Sequence, residues 1–379
     1  MSFFKINNYF PQEIIFGPAS ISKIGAEYLD LGSKNVLIIT DQGLLATGIV
    51  DRVTRFLKRA DVYSKLSGEP TSDAVEDALR FSKQKDYDLV IGIGGGSAMD
   101  TAKVVATLNK QSLTVTDAFG RDLVGARKVG LGLIPTTAGT GSEATPNSIF
   151  IDSRDGVKQA VISRELIPDW VVLDPDLTVT LPPAITASTG MDALCHCIES
   201  LLSVNSSDIS AAYSYHGVKL LCANIRRVVC RGDDVEARGK MLLGSFFGGL
   251  ALTLAGTTAV HALSYPLGKR GVPHGIANGM LLPKVLEYNL PYCKEKLDSL
   301  APYIKCDKPL KGAADVVECV AMYLEQFPIP KSLDEVGIGE DTIPELAKEA
   351  LLQKRLLNNN PIRLSLEEIL KIYKAILRY

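Results

Sequence analysis

Pro182-Pro183 divides the chain into two textures. Before it, short β-branched runs closed by turn residues alternate with stretches of helical spacing. After it those runs disappear, and apolar residues recur at helical spacing from Ile185 to the C-terminus. Strands alternating with helices imply a parallel sheet covered on both faces, whereas an apolar period of 3.6 residues implies helices packed on helices. The chain therefore reads as an α/β domain with a Rossmann-like parallel sheet over residues 1–181, followed by an all-α domain over residues 182–379. That length suits two domains, at roughly 150 residues each.

Along the first domain, residues 12–16 (QEIIF) are a short β-prone run, and a helix is expected over Ile21–Tyr28. Asn35–Thr40 and Leu89–Gly94 are continuous apolar runs, the pattern of strands buried on both faces. Val129–Ile134 is a third strand, ended by Pro135. Helical patterns occupy Ile49–Ala60, Asp73–Lys83 and Ala98–Leu108. No internal repeat or low-complexity segment is visible.

Charge is nearly balanced, 41 basic against 43 acidic residues, so nothing steers the chain toward nucleic acid or an anionic membrane. Seven cysteines without regular spacing suggest reduced thiols rather than a disulfide framework. The opening residues lack a basic segment followed by an apolar run, so no secretion signal is expected and a cytoplasmic location is. Met241–Ala262 contains no Asp, Glu, Lys or Arg and is long enough to span a bilayer. Gly244, Gly248, Gly249 and Gly256 argue against that, and the stretch is read as a buried helix of the all-α domain.

Two loops follow strands in the first domain. Gly94-Gly95-Gly96-Ser97 lies between a strand and a helix, where backbone N–H groups can hold a phosphate and a Cβ would block the anion's approach. Gly92, Gly94 and Gly96 match part of the G-x-G-x-x-G fingerprint, but Ser97 departs from it, and a purely structural tight turn is the competing reading. Pro135–Glu143 (PTTAGTGSE) offers the hydroxyls of Thr136, Thr137, Thr140 and Ser142 between glycines. Ligands of open parallel sheets bind at the carboxyl ends of the strands, and two such loops suit a dinucleotide.

Beyond the proline pair, GMDALCHCIES at 190–200 places Asp192 and His196 at i and i+4, on one face if Ala193–Leu202 is helical. His261 and His274 lie 13 residues apart in a Gly-rich stretch. One carboxylate and three imidazoles make a site suited to Fe²⁺ or Zn²⁺. The alternative is a helix-start Asp192 and a core His196.

Several segments together resemble the iron-containing (group III) alcohol dehydrogenases: GGGSAMDTAK at 94–103, IPTTAGTGSE at 134–143, STGMDALCHCIES at 188–200, HALSYPLG at 261–268, PHGIANGMLLP at 273–283 and NNNPIRLSLEEI at 358–369. The resemblance covers almost the whole chain. It implies a dehydroquinate synthase-like fold with a dinucleotide-binding N-terminal domain and a metal-binding, catalytic C-terminal domain. It places the metal, Fe²⁺ or alternatively Zn²⁺ or another divalent ion, on Asp192, His196, His261 and His274, and leaves His216 structural. Its cofactor positions fall on Gly94, Gly95, Gly96, Ser97, Asp100, Thr136, Thr137 and Ser142, with Lys158 and Leu177 toward the nicotinamide half. Asp41 resembles the carboxylate that bonds the adenosine ribose, and a charge there disfavours a 2′-phosphate, hence NAD(H) over NADP(H). Two departures are Tyr265, where many members carry a histidine, and Leu252, Thr253 and Leu254, where many carry an aromatic residue and asparagines.

The activity so implied is reversible hydride transfer between NAD(H) and a small primary alcohol or its aldehyde. Rivals are a glycerol-type polyol dehydrogenase, a dehydroquinate-synthase-like cyclase and a non-catalytic nucleotide-binding protein. Expected partners are the substrate and further copies of the chain, as a homodimer or larger homo-oligomer. Lys269 and Arg270 could attract an acidic group on the substrate, the alternative being two solvated loop cations.

Overall fold

Apolar runs with no polar alternation have no face to give to water, and the structure, a computed structural model describing residues 9–23 and 34–378, buries them on both sides. The chain divides into two units: residues 9–137 with 141–180, and residues 138–140 with 181–378.

Among the described residues the first unit holds nine strands: β1 (Glu13–Phe16), β2 (Val36–Asp41), β3 (Ala60–Leu66), β4 (Leu89–Gly94), β5 (Gly120–Arg121), β6 (Gly130–Pro135), β7 (Asn147–Ile151), β8 (Lys158–Ile162) and β9 (Trp170–Leu173). Six form a parallel sheet in the order β1-β9-β6-β4-β2-β3. Every residue of β4 is buried. Its described helices are α1 (Gln42–Leu45), α2 (Ile49–Thr54), α3 (Ser72–Ser82) and α4 (Gly96–Leu108). Thr71 caps α3 by accepting from Ala74 N–H, and α4 leaves β4 through the glycine loop. A second sheet, β5-β8-β7, pairs β7 and β8 antiparallel.

The helix expected over Ile49–Ala60 ends at Thr54, and Ala60 begins β3. This strand lies at the sheet edge, so only Tyr63 and Leu66 are buried and Ala60 and Lys65 are exposed, without the continuous apolar run of a central strand. The second sheet and β9 were likewise not among the expected strands. Ser20–Lys23 forms a single 3₁₀ turn, and residues 24–28 of the helix expected over Ile21–Tyr28 lie outside the described residues.

The second unit is helical: α5 (Pro183–Leu202), α6 (Asp208–Cys230), α7 (Val235–Ala255), α8 (Ala259–Lys269), α9 (His274–Asp298), α10 (Ala313–Gln326), α11 (Ile343–Leu351), α12 (Lys354–Leu357) and α13 (Leu366–Ala375). Pro183 occupies the first turn of α5, where its missing N–H costs no intrahelical bond. From Gly190 to Leu202 every residue of α5 is buried, which makes it the central helix of the unit. The uncharged stretch 241–262 is buried as expected, but as two helices meeting at 107° rather than one. Gly256 supplies the left-handed turn between them, at φ +74°. No single helix among the described residues is long and apolar enough to cross a membrane.

Candidate metal centre and nucleotide loops

In the helical unit, α5 carries Asp192 and His196 on one face, α8 carries His261, and His274 is the first residue of α9. Their ligand atoms all lie within 4.8 Å of one another. The Nε2 atoms of His196, His261 and His274 stand 3.7, 3.9 and 3.8 Å from Asp192 Oδ1. Four ligands at about 2.1 Å from one ion in a tetrahedron are about 3.4 Å apart, so a small inward movement suffices. Asp192, His196 and His261 are buried, and the His274 side chain is 25% exposed.

The rings are oriented for binding. His196 Nδ1 meets the carbonyl of Gly139 at 3.2 Å, so that nitrogen carries the proton and Nε2 keeps its lone pair. His261 Nδ1 faces Glu199 Oε2 in a short contact, with the same consequence. Asn278, one turn after His274, donates from Nδ2 to Asp192 Oδ1 at 2.7 Å and lies 3.3 and 3.1 Å from the Nε2 atoms of His261 and His274. Its Oδ1 is buried without a hydrogen-bond partner among the described residues. Burial alone would raise the Asp192 carboxyl, but the three imidazoles and Asn278 outweigh it and hold it below the usual range. Burial lowers His196, which keeps its ring neutral. An ionised carboxylate with three imidazoles whose ligand atoms lie within 4.8 Å of it fits a divalent ion.

Glu199 and Asn278 were not singled out in the sequence. Glu199 follows His196 at i+3 on α5 and Asn278 follows His274 at i+4, so helical spacing was the available signal. His216 is outside the cluster; it is exposed and meets Phe247 edge-on at 4.7 Å.

In the sheet unit, β2, β4 and β6 are neighbours, and their carboxyl ends bring Asp41, Gly94 and Pro135 together. Gly94, at φ +150°, is a conformation only glycine adopts readily, and a Cβ there would lie 2.8 Å from Ala98 Cβ. Gly95 is the N-cap of α4 and offers no side chain, so the first N–H groups, at Gly96 and Ser97, have no cap from it. Ser97 Oγ donates to Gly68 O at 2.9 Å. Thr136 N–H donates to Gly94 O at 3.0 Å, and Thr137 Oγ1 borders Gly95. Asp41 accepts from Leu44 N–H with Oδ1, while Oδ2 lies toward Gly94.

The remaining expected residues sit differently. Asp100 accepts from Ser142 Oγ and from Ile149 N–H, bracing α4 against the second loop. Lys158 is paired with Glu69 at 2.8 Å. Leu177 is 1% exposed, with its side chain in the core beneath the sheet. Lys269 and Arg270 are each paired with glutamates, Lys269 remaining exposed and Arg270 half-buried. They close α8, and Glu349 pairs with Lys269 at 2.9 Å and with Arg270 at 2.6 Å; Glu345 also pairs with Arg270, at 3.0 Å.

Known proteins resemble the chain over nearly its whole length. Residues 11–175 match the family model described as iron-containing alcohol dehydrogenase, and residues 186–377 match the C-terminal model of the Fe-containing alcohol dehydrogenase family. A long-chain-alcohol dehydrogenase of Geobacillus thermodenitrificans is 37% identical, covering 97% of this chain and 95% of that protein. An NAD-dependent methanol dehydrogenase of Bacillus methanolicus is 30% identical, over 97% of this chain and 99% of its own. Among solved structures, sulfoacetaldehyde reductase of Bifidobacterium kashiwanohense in complex with NAD⁺ superposes with a TM-score of 0.86 at 27% identity, covering 98% of this chain and 99% of that one.

Proposed function

The chain belongs to the iron-containing alcohol dehydrogenases, and from that premise we propose how its residues interconvert a primary alcohol and its aldehyde with NAD(H). Asp192, His196, His261 and His274 would hold Fe²⁺, or Zn²⁺ or another divalent ion, in the C-terminal catalytic domain, residues 182–379. Residues 1–181 would form the dinucleotide-binding domain. When bound, the ion supplies Lewis acidity to the alcohol or carbonyl oxygen, and the nicotinamide takes or gives the hydride.

The chain's own part is to bind and orient. Asp192 stays ionised, and His196 and His261 are held by their Nδ1 partners with Nε2 available. The N–H groups at the start of α4 are the proposed donors to the cofactor's phosphates, and the free oxygen of Asp41 the proposed acceptor for ribose hydroxyls. Thr136 and Thr137 border the same loop. Asp100 and Ser142 would support it from behind, and Lys158 and Leu177 are assigned to the nicotinamide half. No side chain is assigned as base, and the proton is proposed to leave through water.

The substrate is proposed to be a small neutral alcohol or aldehyde, since Lys269 and Arg270 are already paired with glutamates. We further propose a cytoplasmic homo-oligomer. Phe16, 45% exposed on the edge strand β1, supports the second half of that reading, and light scattering of the purified protein tests it.

The convergence of four ligand atoms within 4.8 Å carries the functional reading. Metal-free protein loaded anaerobically with Fe²⁺ should reduce NAD with short primary alcohols. Failure across an alcohol series with Fe²⁺, Zn²⁺ and Mn²⁺ would overturn it.

A further inference from the structure

Glu199 is 1% exposed, and both of its oxygens are committed. Oε1 accepts from Thr258 N–H at 3.0 Å, Thr258 Oγ at 2.6 Å and Val260 N–H at 2.8 Å. Those backbone donors open α8, where no intrahelical acceptor exists for them. Oε2 faces His261 Nδ1 and also lies 3.7 Å from Cys195 Sγ. The turn that delivers α8 is itself held: Ser203 Oγ donates to Ala255 O at 2.7 Å, and Asn359 Nδ2 to Thr257 O at 3.0 Å. One carboxylate thus fixes where α8 begins and which nitrogen of His261 carries the proton. His196, by contrast, gives its Nδ1–H to a neutral carbonyl.

We propose that Glu199 is the positioning residue of the metal centre, locking His261 in the Nδ1–H tautomer so that Nε2 is always open to the ion. The inference rests on the metal-centre reading above, and it concerns how tightly the ion is held. A carboxylate behind a ligating imidazole fixes the ring and raises its basicity, and loss of such a partner typically costs about 10–100-fold in metal affinity.

Glu199→Gln is the discriminating substitution, because it keeps the size and reverses one hydrogen bond. The two backbone N–H groups of Thr258 and Val260 cannot turn away, so the amide oxygen must face them. The amide NH₂ then faces His261 Nδ1 and can only donate, which moves the ring proton to Nε2. The chain has four histidines, so ¹⁵N-histidine NMR of the metal-free protein can read each tautomer directly. The expected result is His261 as the Nδ1–H tautomer in the wild type and Nε2–H in Glu199→Gln, with Zn²⁺ affinity by chelator competition falling about 10–100-fold. Thr258→Val removes one contact to Oε1 but no charge, and should change affinity less than about threefold.

An Nε2–H tautomer at His261 in the wild type would overturn the inference, even if the glutamine variant does not fold. So would a folded Glu199→Gln that binds Zn²⁺ as tightly as the wild type. In both cases a wild type that binds one ion leaves the metal-centre reading standing, whereas a wild type that binds none removes that reading first.

Discussion

A buried carboxyl outside the metal centre gives the first prediction. Glu143 is 1% exposed, and burial pushes its pKa up to about 7, only partly countered by backbone hydrogen bonding and by Lys103. Its folded pKa lies above the ordinary glutamate value of 4.5. Stability from the protonated form is therefore complete below about pH 4.5 and is lost as the pH rises through about 7. A rise of that size corresponds to a loss on the order of 3 kcal/mol. Glu143→Gln should flatten this dependence: urea unfolding at pH 5 and pH 8 should differ less than in the wild type. At the proposed nucleotide loop, Asp41→Ser should raise the NADPH/NADH ratio of kcat/KM by about tenfold or more, because the proposed ribose contact would lose the charge that opposes a 2′-phosphate. The metal-ligand candidates were legible in the sequence because histidines are scarce in this chain and one sits at i+4 from an aspartate. Glu199 and Asn278 were not, since they act through those ligands and belong to common residue types with no motif of their own.

At the scale of elements, the central strands announce themselves because full burial demands unbroken apolar runs, as in β2 and β4. The edge strand β3 buries only Tyr63 and Leu66, and its opening residue extended a helical pattern. The break between α7 and α8 hides inside a uniformly uncharged stretch, where only Gly256-Thr257-Thr258 marks it. Close approach within the sheet unit is testable: a Cβ on Gly132 would lie 2.0 Å from Cζ2 of Trp170, the chain's single tryptophan. Gly132→Ala should cost about 1–3 kcal/mol, read from the tryptophan fluorescence midpoint in urea. At the end of α8, the double variant Lys269→Ala with Arg270→Ala should lower stability by at most about 1 kcal/mol per pair, since all three ion pairs are partly exposed. It should leave the ratio of activity on sulfoacetaldehyde to that on a neutral aldehyde unchanged, whereas selective loss on the acidic substrate would restore a recruiting role for these cations.

Across the whole molecule, the division of labour follows from which side chains each half can supply. The sheet unit presents backbone donors and one carboxylate at the ends of parallel strands, the surface proposed for the dinucleotide. The helical unit gathers three of the four histidines around a buried aspartate. Among the described residues the four candidate ligands are spread over α5, α8 and α9, so the proposed site needs all three helices in place. Metal loading should therefore raise the unfolding temperature of the helical unit as well as switch on turnover. Anaerobic titration of metal-free protein with Fe²⁺ tests the central claim most directly. One tightly held ion per wild-type chain is expected, and none in Asp192→Asn or His274→Ala, with His216→Ala unchanged. Equal stoichiometry and affinity in wild type and both ligand variants would contradict that claim.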